Sequence, residues 1–178
     1  MNYKWLTWII LAVLLTISLM RDQRVGYVNK PAHMFSAKLL DGQVFNLKEH
    51  QGQVVVLDFW ATWCAPCRIS LPALSQVAAD YADDPDVWVG SVNRENLSSE
   101  NLRRFLDRLK LKFPVIHDQI GSVSRQYDVR GLPTLIVINP AGKITYAQAG
   151  IVSRHTPVLV RHLKKLIEEA RSGSSDEQ

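Results

Sequence analysis

Two thiols stand alone in the chain, Cys64 and Cys67, closing the stretch DFWATWCAPC (58–67). A pair at this spacing has three uses: a reversible disulfide, a share of a soft metal site, or a loop staple. A structural zinc site takes about four ligands, and no second cysteine pair is present to complete one. The five histidines, His33, His50, His117, His155 and His162, are scattered without ligand spacing. A disulfide across two intervening residues closes too small a loop to stabilise much. Reversible thiol chemistry remains. It requires a thiolate near neutral pH, and the positive end of a helix lowers a thiol's pKa. Cys64 should stand at a helix N-terminus as the more exposed sulfur, with Cys67 one turn on and underneath. Pro66 in that first turn loses no hydrogen bond and stiffens the loop.

The surrounding elements should hold the pair in that position. VVVLDFW (54–60) is a continuous apolar, β-branched run broken by one acid, and predicts a buried central strand. Asp58 is the informative residue, because an acid among Val56, Leu57, Phe59 and Trp60 is expensive to bury and should have a raised pKa. The alternative is a strand-edge acid facing solvent. A helix is expected from the cysteine pair to about Tyr81, with Ile69, Leu74, Val77, Ala78 and Tyr81 inward and Pro72 inside it, kinking it or removing a hydrogen bond. Before the strand, MFSAKLLDGQVFNL alternates around Asp41-Gly42 as a hairpin does. After it come a strand at 87–92 and a helix capped at Ser98-Ser99, with Leu102, Phe105, Leu106 and Leu109 as its apolar stripe. An extended piece at 113–116 and a brief helix at 122–127 follow. The pair 134–138 and 143–148 flanks a turn. Thr156 is expected to cap a last helix, with Pro157 first and Leu159, Leu163, Leu166, Ile167 and Ala170 buried.

Charge and hydropathy divide the chain. The formal charge is +4, of which residues 1–30 hold +3 through Lys4, Arg21, Arg24 and Lys30 against Asp22, leaving +1 for the rest. That is no nucleic-acid footprint, which would cluster basic residues on one face. The basic residues flank WLTWIILAVLLTISLM (5–20), a run without a charge. As a helix it would cover roughly 24 Å, slightly short of the ~30 Å hydrocarbon core, with Lys4, Arg21 and Trp5 able to absorb the difference. An uncleaved anchor, a cleaved signal peptide and a buried core helix are the three readings, and the first is preferred because small residues are lacking at the end of the run. Charges on the two sides are too even for the positive-inside rule to orient it. The expected organisation is an anchor and tether over 1–30, one α/β domain over 31–171 and a polar tail over 172–178.

DFWATWCAPC resembles the active-site segment of the thioredoxin superfamily, and RGLPTLIVINPAGKI (130–144) resembles its cis-proline strand and hairpin. The apolar run, the early hairpin and an αβ insert at about 95–118 narrow the resemblance to the TlpA/ResA-like, membrane-tethered extracytoplasmic thioredoxins. The resemblance implies a thioredoxin fold, a mixed sheet flanked by helices. It implies that Cys64 is the nucleophile, Cys67 the resolving thiol and Pro133 a cis-proline facing them. Leu132 would present backbone to a substrate strand and Trp63 would shield one side. Asp58 falls where cytoplasmic thioredoxins keep a proton-accepting acid. Many of the tethered relatives have Asn there and a Glu three residues after the second cysteine, where this chain has Ser70. The implied activity is thiol–disulfide exchange, most simply reduction of extracytoplasmic protein disulfides, as in cytochrome c maturation. No organic cofactor or metal is called for beyond the Cys64–Cys67 disulfide. The implied partners are protein disulfide substrates, a membrane thiol electron donor and, through the N-terminal helix, a bacterial cytoplasmic membrane, with the domain facing the periplasm or exterior. A copper-binding metallochaperone on the same fold is the alternative, against which the family's proline beside the thiols argues.

Overall fold

The computed structural model describes residues 28–173 together with Trp8 and Ile9. The expected anchor and the polar tail lie almost wholly outside these residues. Among the described residues no helix is long and apolar enough to cross a membrane.

Seven consecutive buried residues make β3, Val54–Trp60, the middle of a five-stranded sheet. Strand alternation sends Val54, Val56, Asp58 and Trp60 to one face and Val55, Leu57 and Phe59 to the other. Both faces are covered, which is why the run shows no polar alternation. Burying each such side chain is worth about 1.5–3 kcal/mol, and Asp58 is the exception within the strand.

Helix α1 (Ala65–Asp80) leads from β3 to β4 (Val87–Asn93), which pairs parallel with β3 from Val54↔Val87 to Trp60↔Asn93. Next, α2 (Ser99–Arg108) crosses to a short parallel edge strand, β5 (Val115–His117). A one-turn helix α3 (Ser122–Gln126) precedes β6 (Thr134–Ile138), which returns antiparallel against β3, and β7 (Ile144–Ala149) closes that edge. The order is β5-β4-β3-β6-β7. The final helix, α4 (Thr156–Ser172), packs against α1. A separate two-stranded sheet, β1 (Ser36–Lys38) with β2 (Val44–Asn46), forms the early hairpin, and Gly42 takes the positive φ of 97° its turn requires. This is the expected thioredoxin fold with its mixed sheet, hairpin and insert.

Two apolar layers sandwich the sheet. On one face Val54, Val56 and Trp60 meet α1, α2 and α4, and both cysteines belong to this layer. On the other, Val55, Leu57 and Phe59 meet the hairpin, Val123 and Tyr127. The chain joins this second layer before Pro31. Val28 packs against it, Asn29 N–H donates to Ile144 O at 2.7 Å and Ile144 N–H to Lys30 O at 3.0 Å.

Several expectations shift locally. The α1 face buries Leu71 and Ala73 with Leu74 and Val77, whereas Ile69 is half-buried beside residues 151–154. Leu109 is 42% exposed as the C-cap of α2, and Leu111 is buried in its place. The strand expected at 113–116 starts two residues later, after Pro114. The N-cap of α4 is His155 rather than Thr156, and it makes no side-chain capping bond.

Candidate active site

Cys64 is the N-cap of α1, in extended backbone, and its Sγ accepts the Cys67 N–H at 3.2 Å. That geometry follows from the chain leaving the C-terminal end of β3 and turning at Ala61-Thr62-Trp63 into a helix started by Ala65-Pro66. The two sulfurs are bonded, with Cα atoms 5.3 Å apart. Cys64 is 4% exposed and Cys67 fully buried, the expected order. A sulfur at this position faces unpaired helix N–H groups and the positive end of the macrodipole, an environment that stabilises a thiolate.

The turn that presents Cys64 is clamped from β4. Glu95, two residues beyond that strand, accepts from Thr62 N–H and from Thr62 Oγ1, both at 3.1 Å, and Asn93 Nδ2 reaches the same carboxylate at 3.4 Å. The sequence reading missed Glu95, for it lies 33 residues from Thr62 and joins it only because β3 and β4 are neighbours. Trp60 anchors the strand end, its Nε1–H donating to Ser91 Oγ at 3.0 Å.

Asp58 sits on the face of β3 covered by α1 and α4. It is 5% exposed and its Oδ2 is buried without a hydrogen-bond partner. Burial pushes its pKa from 3.8 up to about 8. The strand-edge alternative is thereby set aside, since β3 has a neighbour on each side. Ser70, one turn past Cys67, donates to the Cys67 carbonyl at 3.1 Å and lines the same cavity as Asp58.

The Leu132–Pro133 peptide is cis, as the resemblance implied. Pro133 is buried, lines the cavity with Asp58, and accepts from Gly150 N–H at 2.7 Å. Leu132 and Gly131 border a surface groove with Trp63, Arg94 and Arg130. Trp63 is 68% exposed there, an aromatic surface beside the cysteines. The structure therefore brings Trp63 together with Leu132, and Asp58 together with Pro133. Among the described residues no group of three or more His, Cys, Asp or Glu is arranged to hold a metal ion.

Comparison with known proteins agrees with this geometry. The AhpC/TSA family model matches residues 28–147. The chain belongs to the AhpC/TSA family. It is 33% identical over 120 residues to thioredoxin-like protein YneN of Bacillus subtilis, covering 67% of this chain and 70% of that one. It is also 33% identical over 129 residues to the thiol-disulfide oxidoreductase ResA of Halalkalibacterium halodurans, covering 72% of each. Among solved structures, a secreted Mycobacterium tuberculosis disulfide oxidoreductase homologous to E. coli DsbE superposes with a TM-score of 0.63. It shares 26% identity, over 74% of this chain and 95% of that one.

Proposed function

We propose that this protein is a thiol–disulfide oxidoreductase that reduces disulfides of extracytoplasmic proteins with its Cys64/Cys67 dithiol. The observation that carries the reading is a bonded Cys-X-X-Cys pair at the N-terminus of α1, in the same buried layer as the β3 face that carries the acid Asp58. Neither a staple nor a core packing role needs a buried acid on that face. The names of the relatives support the same activity.

In the reducing direction the Cys64 thiolate attacks one sulfur of the substrate disulfide. The substrate S–S bond breaks, a mixed disulfide forms, and the departing substrate thiolate takes a proton from solvent. Cys67 then gives its thiol proton to the Asp58 carboxylate, which a pKa of about 8 suits to this exchange near neutrality. The Cys67 thiolate attacks Cys64 Sγ, expels the second substrate thiolate and leaves the Cys64–Cys67 disulfide. Trp63 and the Leu132-Pro133 backbone form the substrate's resting surface. No organic cofactor enters the cycle. Two electrons must return from a thiol donor, placed in the membrane by this reading.

The apolar run at 5–20 supports a single-pass anchor in a bacterial cytoplasmic membrane, with the domain on the periplasmic or outer side. Residues 21–27 serve as tether and 28–171 as the catalytic unit, with 172–178 as a tail. Reduction of insulin by the prereduced protein tests the activity. Wild type should turn over and Cys64→Ser should not, whereas equal rates in both would remove Cys64 from the chemistry.

A further inference from the structure

A proton taken up by Asp58 must either return to Cys67 when the disulfide is reduced or exchange with solvent, and the carboxyl is only 5% exposed. On β3 it is flanked by Ser91 of β4 and Leu135 of β6, neither of them titratable, and α1 covers it. While substrate occupies Cys64, Trp63 and Leu132, the active-site mouth is blocked as well.

A cavity of about 40 Å³ is lined by Asp58 of β3, Ser70 of α1, Tyr146 and Gln148 of β7 and His162 of α4, among others. A water needs about 10–15 Å³ on this measure, together with polar partners. The cavity therefore has room for two or three, beside a carboxylate oxygen that lacks a protein partner. The rest of the lining is mainly apolar, with Pro133, Leu135, Ile151, Val152 and Leu159 among it. Protons move along hydrogen bonds, so the polar side is the path. Tyr146 O–H hydrogen-bonds Gln148 Oε1, and His162 Nε2 lies 3.2 Å from the same hydroxyl.

We propose that Asp58 exchanges its proton with solvent through water in this cavity, Tyr146 and His162, which together form a proton relay. The inference rests on the oxidoreductase reading above. The step balances once the Tyr146 hydroxyl turns from Gln148 Oε1 to His162 Nε2: protonated Asp58 gives H⁺ to a cavity water, which passes one to Tyr146 Oη as that hydroxyl gives its own to His162 Nε2. The imidazolium then loses its Nδ1 proton to solvent, and exchange of the ring with solvent back to its Nδ1–H tautomer restores neutral imidazole, carboxylate and tyrosine. Titratable groups that line the cavity with Asp58 are Tyr146 from β7 and His162 from α4, and Cys67 of α1 lies in the buried layer on the same face of the sheet. His162 also feels Lys165 and Glu169 on its own helix. Burial first, then Lys165, lowers the His162 pKa against a raising effect of Glu169, which favours rapid release of the proton it receives.

Two measurements test this. In oxidised protein, the infrared band of the Asp58 carboxyl after a jump from alkaline to neutral pH reports proton delivery without any substrate. His162→Gln and Tyr146→Phe should each slow it about tenfold, a modest fraction of what a positioned proton carrier supplies. Steady-state disulfide turnover should slow likewise, and added imidazole should restore both rates in His162→Gln. Wild-type delivery rates in both variants, or slowed rates that imidazole does not restore, would overturn the relay. Failure of the oxidoreductase reading shows differently, as wild-type protein that delivers the proton normally but turns over no disulfide.

Discussion

Removing the charge at position 58 should make the protein more stable, and by an amount that depends on pH. The folded carboxyl titrates near pH 8 against 3.8 for an unburied one. Because the folded pKa is the higher, the native state binds the extra proton. Its penalty is absent below the unfolded pKa, grows from about pH 4 and is complete above about pH 8. Each unit of difference is worth about 1.4 kcal/mol, so at pH 7 the penalty is at most about 4 kcal/mol, less whatever cavity water recovers by solvating the charge. Asp58→Asn abolishes this titration. Its new N–H inherits a site where Oδ2 had no partner and carries a pH-independent cost of about 1–3 kcal/mol if unmet. The quantity to measure is therefore the stability difference between variant and wild type at several pH values, by urea unfolding of the oxidised forms. The advantage of Asp58→Asn should rise by several kcal/mol between pH 4 and pH 8. A difference that stays flat across that window would refute the burial argument, whatever its absolute size.

The same Asp58→Asn change should slow disulfide turnover near pH 7, because Cys67 loses its proton acceptor. The deficit should shrink as pH rises and free thiolate accumulates; a deficit constant with pH would count against the role. Glu95→Ala removes both hydrogen bonds that hold Thr62, and should lower the unfolding free energy by about 2 kcal/mol while slowing the attack step. An unchanged attack rate would show that the turn holds its shape unaided. Deleting residues 1–27 should leave a soluble, active domain. Deleting through 30 should cost about 1–3 kcal/mol more, since two backbone bonds to Ile144 are lost. Equal unfolding midpoints for the two truncations would refute that difference.

What the sequence made legible was whatever depends on local pattern. VVVLDFW and TLIVI can only be buried strands, and both appear where expected. The stripe of α4 is correct at all five positions, because a helix packed on one face repeats its apolar residues in register. Cys64 at a helix start and Asp58 inside the sheet were readable for the same reason. Errors fall at element ends, where competing local effects decide. Leu109 fits the stripe of α2 but lies past its last turn, and Pro114, lacking an N–H, delays β5. The contacts that tune the site were invisible. Glu95 meets Thr62 across 33 residues because β3 and β4 are neighbours, and Tyr146 meets His162 across 16 because α4 lies against the sheet, neither pairing being one of sequence neighbourhood.

The central claim is that Cys64 attacks and Cys67 resolves. Incubating the prereduced Cys67→Ser protein with a disulfide-containing substrate, then mapping adducts by mass spectrometry, tests it most directly. A mixed disulfide accumulating on Cys64 is the expected result, with none accumulating on Cys67 in the Cys64→Ser protein. Adducts on Cys67 in Cys64→Ser, and no adduct on Cys64, would contradict the assignment.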